Sequence, residues 1–273
     1  MELRILGPVQ AVSGGRAVEL GGRRARLVLA ALSLDPGRVV SVDRLMAAVW
    51  GDRPPASART QIAGSVSRLR RALRDPGAVE TAHPGYRLPV DAVRLDSREA
   101  ERLVTRAREA AASARPDEAA GMFRAALALW RGPVLAGLDS PALAPAALRW
   151  EELRLAAVEE AAELDVALDR SREVVAELMP LVAEHPFRER LRALLMTALH
   201  REGRQAEALA LYRDGRRILD EDLGLEPGRE LRRLHDAILR DDLPGPRGHG
   251  RVRGEGACRE GRSRRRSPRR RCP

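Results

Sequence analysis

The sequence predicts a multidomain fold: an α+β unit over residues 1–92, an all-α unit over 93–243 and a disordered basic tail over 244–273. Three observations point there. Short apolar runs broken by Gly and Pro fill the first twenty residues, and three helical patterns and a hairpin follow. From about residue 96 the pattern is helical throughout, and apolar positions recur with a 34-residue period. From Pro244 the chain is Gly, Arg, Ser and Pro, too polar to bury a core. Charge divides the same way. Residues 1–90 hold 14 Arg against 7 acidic residues, giving +7; residues 91–243 hold 24 against 30, giving −6; the tail holds 11 against 2, giving +9. A basic front suggests a polyanionic partner, and an acidic middle suggests protein contact or solubility.

In the first unit, Leu3, Ile5, Val9, Val12, Val18 and Leu20, interrupted by Gly7-Pro8 and Ser13-Gly14-Gly15, suit a short antiparallel meander. RRARLVLAALSL over 23–34 reads as a helix with Leu27, Ala30, Ala31 and Leu34 inward, stopped by Asp35-Pro36-Gly37. Residues 38–41 read as an extended link. Ser41 or Asp43 caps a helix running to Trp50. Pro54-Pro55 then precede SARTQIAGSVSRLRRALR, residues 57–74. On this stretch Ile62, Val66, Leu69 and Leu73 line one side at helical spacing. Thr60, Gly64, Ser67 and Arg71 fall opposite, with Gln61, Arg68 and Arg74 beside them. An ordinary amphipathic surface helix would show the same two faces. The polar face, however, carries what major-groove reading uses: Arg for phosphate or guanine, Gln for adenine, and a glycine for close approach. Residues 79–90 read as a hairpin turning at His83-Pro84-Gly85. Strands, three helices and a hairpin are the order of a winged helix-turn-helix. Its last helix reads a groove, and its hairpin touches backbone or minor groove.

LMAAVWGDRPPASARTQIAGSVSRLRRAL followed by HPGYRL resembles the DNA-binding domain of the OmpR type. Carried over by position, the resemblance places Thr60, Gln61, Gly64, Ser67 and Arg71 toward the groove, Arg59, Arg68 and Arg74 toward phosphates, and Arg87 at the wing. A helix-surface pairing of Arg68 with Glu80 stays open beside this, as does wing packing for Tyr86.

In the second unit Val174, Leu178 and Leu181 match Ala208, Tyr212 and Gly215, and Ala119, Phe123 and Ala126 repeat the spacing. The unit reads as tetratricopeptide-like (TPR-like) helix pairs stacked as a solenoid. ALALWRGPVLAGL, LVAEHPFRERLRALLMTALHREGRQAEALALYR and LDEDLGLEPGRELRRLHDAIL resemble the bacterial transcriptional activation domain. That domain behind an OmpR-type reader is similar to the Streptomyces antibiotic regulatory proteins, or SARPs. The resemblance implies an activator of a secondary-metabolite gene cluster, bound as a homodimer to promoter direct repeats in double-stranded DNA; a cytoplasmic location is expected separately, from a sequence that shows neither a membrane span nor a signal-peptide layout. It also implies recruitment of RNA polymerase with its principal sigma factor. A TPR-type interaction scaffold and a repressor using the same reader are the alternatives.

An enzyme is not expected. The five His are scattered, both Cys lie in the tail, and there is no Lys and no phosphate loop. No catalytic residue, metal site or cofactor is expected. Glu151, Glu152, Glu159, Glu160 and Glu163 read as a solvated helix face, and Trp130 and Trp150 as core anchors. No stretch reads as a membrane span.

Overall fold

The computed structural model describes residues 1–91 and 93–243. Expectations for the tail, including Cys258 and Cys272, lie outside those residues. Seventeen elements follow in order among the described residues. Strands β1 (Glu2–Arg4), β2 (Gln10–Ser13) and β3 (Arg16–Val18) form the expected antiparallel meander. Helix α1 (Arg23–Leu34) buries Val28, Leu29 and Leu32 as well as the four residues expected, so both of its faces are covered. It is a central helix that contacts both α2 and α3.

The stretch read as a link over 38–41 contains strand β4 (Val39–Ser41). It pairs with the wing hairpin, β5 (Glu80–Ala82) and β6 (Gly85–Arg87), in a sheet of order β4-β6-β5. Ser41 then caps α2 (Val42–Trp50) by accepting from the Arg44 amide at 3.2 Å. Helix α3 (Ala58–Ala72) buries Ile62, Val66 and Leu69, and Leu73 follows them into the core.

Strand β7 (Arg94–Leu95) adds to the first sheet, parallel to β1, giving the order β3-β2-β1-β7. At two and three residues, β7 and β4 are too short to show alternation, and their pairing depends on distant partners.

Helices α4 (Asp96–Ala112), α5 (Pro116–Leu127), α6 (Ala144–Ala167), α7 (Ser171–Glu184), α8 (Glu189–Arg201), α9 (Gln205–Leu223) and α10 (Arg229–Arg240) complete the fold. They pack against one another in chain order, with α6 also against α8, and α10 against α8 and α9. The repeat positions Ala119, Phe123 and Ala126 of α5, Val174, Leu178 and Leu181 of α7, and Ala208, Tyr212 and Gly215 of α9 are all buried.

The five glutamates of α6 form a solvated face only at Glu152 and Glu163, which are exposed. Glu159 is buried and accepts from Arg188 Nε at 2.7 Å. Glu160 pairs with Arg108 of α4 and Glu163 with Arg190 of α8, while Glu151 accepts from the Val134 amide. Helix α6 has neighbours on several sides, so Glu159 and Glu160 are drawn to arginines of other helices, while Glu152 and Glu163 keep most of their exposure to solvent even as they pair.

The two units share a core. Trp130, Val134, Leu135, Leu138, Leu143 and Trp150, from the α5–α6 connection and α6, pack in one cluster with β1, α1, α2 and α3. The tryptophans are core anchors as expected, but of the first unit's core. The Arg131 amide donates to Leu6 O at 2.8 Å and Leu135 to Ile5 O at 3.1 Å. Asp96, the first residue of α4, accepts from the Ile5 and Leu6 amides at 2.9 and 3.1 Å, and Arg131 Nη2 lies 3.3 Å from it.

Candidate nucleic-acid interface

Burial of Ile62, Val66 and Leu69 turns the opposite side of α3 outward, and the side chains there sort into free and engaged. Thr60, Ser67, Arg71 and Arg74 are exposed, and no side-chain hydrogen bond joins them to other described residues. Gly64 is half-buried on the same face, and a methyl group built on it would meet only Arg68 Nη1, at 3.9 Å. Gly64→Ala is therefore expected to stabilise the fold by about 0.5–1 kcal/mol, the usual cost of glycine inside a helix. Thermal unfolding of the variant checks this.

The other expected contacts are partly committed within the protein. Arg59 is exposed, but its Nη2 donates to Asp43 of α2 at 2.8 Å. Gln61 is half-buried and its amide donates to Ser57 Oγ at 2.8 Å, closing the first turn of α3. Arg68 does not pair with Glu80; its Nη2 reaches Ser65 Oγ at 3.2 Å. Ser65 is buried and donates to Gln61 O. Glu80 is taken instead by Arg87, whose Nε donates to it at 3.0 Å across the wing. Tyr86 is half-buried and packs against the first core, in keeping with a packing role.

Arg70 is the residue the sequence reading passed over. Its Nε donates to Val79 O at 2.7 Å and its Nη2 to Thr81 Oγ1 at 2.9 Å. It thus fastens α3 to β5. Nothing in the local pattern distinguishes it from Arg68 or Arg71; only the fold places it on the wing side.

The positioning of this surface depends on Gly85. A Cβ there would lie 1.9 Å from Val40 O, so β4 could not pair where it does with a side chain in the way. Val42 of α2 donates its amide to Pro84 O at 3.2 Å, which joins the wing tip to the start of that helix. Behind the reader, burial pushes the Asp96 carboxyl up from its ordinary value against the opposite pull of the Ile5 and Leu6 amides and Arg131. Among the described residues no cluster of His, Cys, Asp or Glu could hold a metal ion, and no helix is long and apolar enough to cross a membrane.

A winged helix with an outward polar third helix, fused to a stack of helix pairs, defines a two-part transcriptional regulator. The family models agree in order and extent. Residues 15–88 match "Transcriptional regulatory protein, C terminal", and residues 95–239 match "Bacterial transcriptional activator domain". The chain belongs to the SARP family of transcriptional activators. It is 37% identical over 253 residues to the regulatory protein DnrI of Streptomyces peucetius, covering 89% of this chain and 93% of that one. It is 41% identical over 244 residues to the regulatory protein AfsR of Streptomyces coelicolor, covering 87% of this chain but only 24% of AfsR. The chain thus spans a small part of that longer relative. A solved structure of Mycobacterium tuberculosis EmbR in complex with a low-affinity phosphopeptide superimposes with a TM-score of 0.84 at 38% identity, over 90% of this chain and 66% of that one.

Proposed function

We propose that this chain binds promoter DNA selectively through α3 and activates transcription of a secondary-metabolite gene cluster by recruiting RNA polymerase with its principal sigma factor. The observation that carries the reading is the outward face of α3, where Thr60, Ser67 and Arg71 are free beside an unobstructed Gly64. Arg71 reaches base edges, Arg68 and Arg74 beside it meet phosphates, and Arg59 meets phosphate once it leaves Asp43. Gln61 reads a base only by giving up Ser57, and Arg87 meets DNA only by giving up Glu80. The site is a pair of direct repeats occupied by two copies. The shared core, by locking reader to helical unit, gives the helical unit a fixed position beside the promoter. The helical unit is then the surface offered to polymerase. The protein works in the cytoplasm, where its promoter is, and by tethering instead of bond chemistry.

Gel-shift binding to the promoters flanking its own gene, at two salt concentrations, tests the reading. A selective regulator keeps a preference for one repeat-containing fragment as salt weakens the phosphate contacts. Equal, weak binding to every fragment would point to an interaction scaffold. Reporter transcription that falls instead of rising with added protein would make it a repressor.

A further inference from the structure

Of the α3 cations assigned above to the duplex, Arg59 alone is held by a carboxylate among the described residues. Its Nη2 donates to Asp43 Oδ1 at 2.8 Å, and the two side chains are 67% and 72% exposed. Asp43 lies in the first turn of α2. Helix amides favour an acid there, but capping does not engage this one. Ser41 Oγ takes the Arg44 amide, and the Val42 amide goes to Pro84 O. The neighbouring Arg44 guanidinium turns to Asp35, 3.6 Å away. The Asp43 carboxylate therefore has Arg59 as its one side-chain partner among the described residues. It stands between the start of α2 and the start of α3, one hydrogen bond from a cation of the reading surface.

We propose that Asp43 is an internal stand-in for a DNA phosphate: it competes for Arg59 and so restrains the chain's affinity for every duplex, whatever its sequence. The inference rests on the DNA-binding reading above and adds a restraint to it. A carboxylate and a phosphate both present a guanidinium with paired acceptor oxygens. Binding thus exchanges one ion pair for another instead of adding one. The exchange also leaves Asp43 uncompensated beside the phosphate that took its partner, and like charges at that distance repel. Both costs are small, since an exposed ion pair is worth little in water, so Arg59 is released on contact and not locked away. Because neither partner reads a base, the cost is the same on a promoter and on an arbitrary duplex. Choice of sequence stays with the polar face of α3, and Asp43 keeps the electrostatic background of binding low.

The test is equilibrium titration of the full chain with the best flanking promoter fragment and with an arbitrary duplex, at two salt concentrations. Asp43→Asn keeps the shape of the side chain and removes its charge. It is expected to tighten binding to both fragments about 2- to 5-fold at low salt, the range spanned by one exposed ion pair, with the ratio between them unaltered. The gain should shrink at high salt, where such pairs are screened. In an Arg59→Gln background it should fall to the smaller gain given by Asp52→Asn, which removes an exposed acid of the α2–α3 loop that holds no cation among the described residues. Unchanged binding by Asp43→Asn would overturn the proposal. Weaker binding would too, because it would make Asp43 a support that positions Arg59. So would an equal gain from Asp52→Asn in the otherwise unaltered chain, or a full gain that survives Arg59→Gln. Each of these leaves the DNA-binding reading standing while Arg71→Ala lowers the promoter preference. If Arg71→Ala does not lower it, that reading falls, and the restraint with it.

Discussion

Replacing Asp96 with alanine is expected to destabilise the whole described fold by about 3–5 kcal/mol, the usual cost of removing one partner of a buried ion pair. The carboxylate is 4% exposed and satisfies the amides of Ile5 and Leu6 in the turn after β1. It also faces the guanidinium of Arg131, whose side chain is largely covered. Alanine would strand two backbone donors and leave a mostly desolvated cation without its counter-charge. Because Asp96 opens α4 and Arg131 sits between α5 and α6, the loss would fall on both units at once. One cooperative transition, shifted as a whole, is the expected form of the urea unfolding curve. A loss below about 1 kcal/mol, or separate melting of the two units, would show that this junction is not a shared core.

Gly85→Ala is expected to cost at least about 3 kcal/mol, at the upper end of what overpacking does, because the obstacle is backbone and not a yielding side chain. The added methyl group would sit 1.9 Å from Val40 O and 2.7 Å from the Ser41 Cα. Strand β4 would have to leave β6, giving up the pairing of Val39, Val40 and Ser41 with Arg87, Tyr86 and Gly85. Ser41 also caps α2, so the displacement would propagate into that helix and the Pro84–Val42 contact. The wing should lose amide protection from hydrogen exchange before α1 does. A stable Gly85→Ala variant with a protected wing would contradict this.

Much of the reader was legible because its signals are local. The spacing of Ile62, Val66 and Leu69 declares the buried side of α3, and His83-Pro84-Gly85 declares a turn. The buried positions of α5, α7 and α9 were visible for the same reason, since a repeat states its pattern more than once. What was not legible depends on partners far along the chain. Asp96 looks like an ordinary acidic residue at a helix start, yet its bonds reach back 90 and 91 residues to Leu6 and Ile5. Glu159 sits in a run of glutamates that spacing alone assigns to water, and only the approach of Arg188 and Arg190 makes it a buried acceptor. Arg70 and Arg71 are chemically identical neighbours; a rotation of about 100° along the helix sends one to the wing and leaves the other free.

The most direct test of the account is the ratio of affinities for the best flanking promoter fragment and for an arbitrary duplex, measured by equilibrium titration for the unaltered chain and for Arg71→Ala. The account predicts that the substitution lowers the ratio by a factor equivalent to about 1–3 kcal/mol while thermal stability stays unchanged, since Arg71 is exposed and its side chain makes no hydrogen bond to another described residue. An unaltered ratio, with or without weaker binding overall, would contradict it.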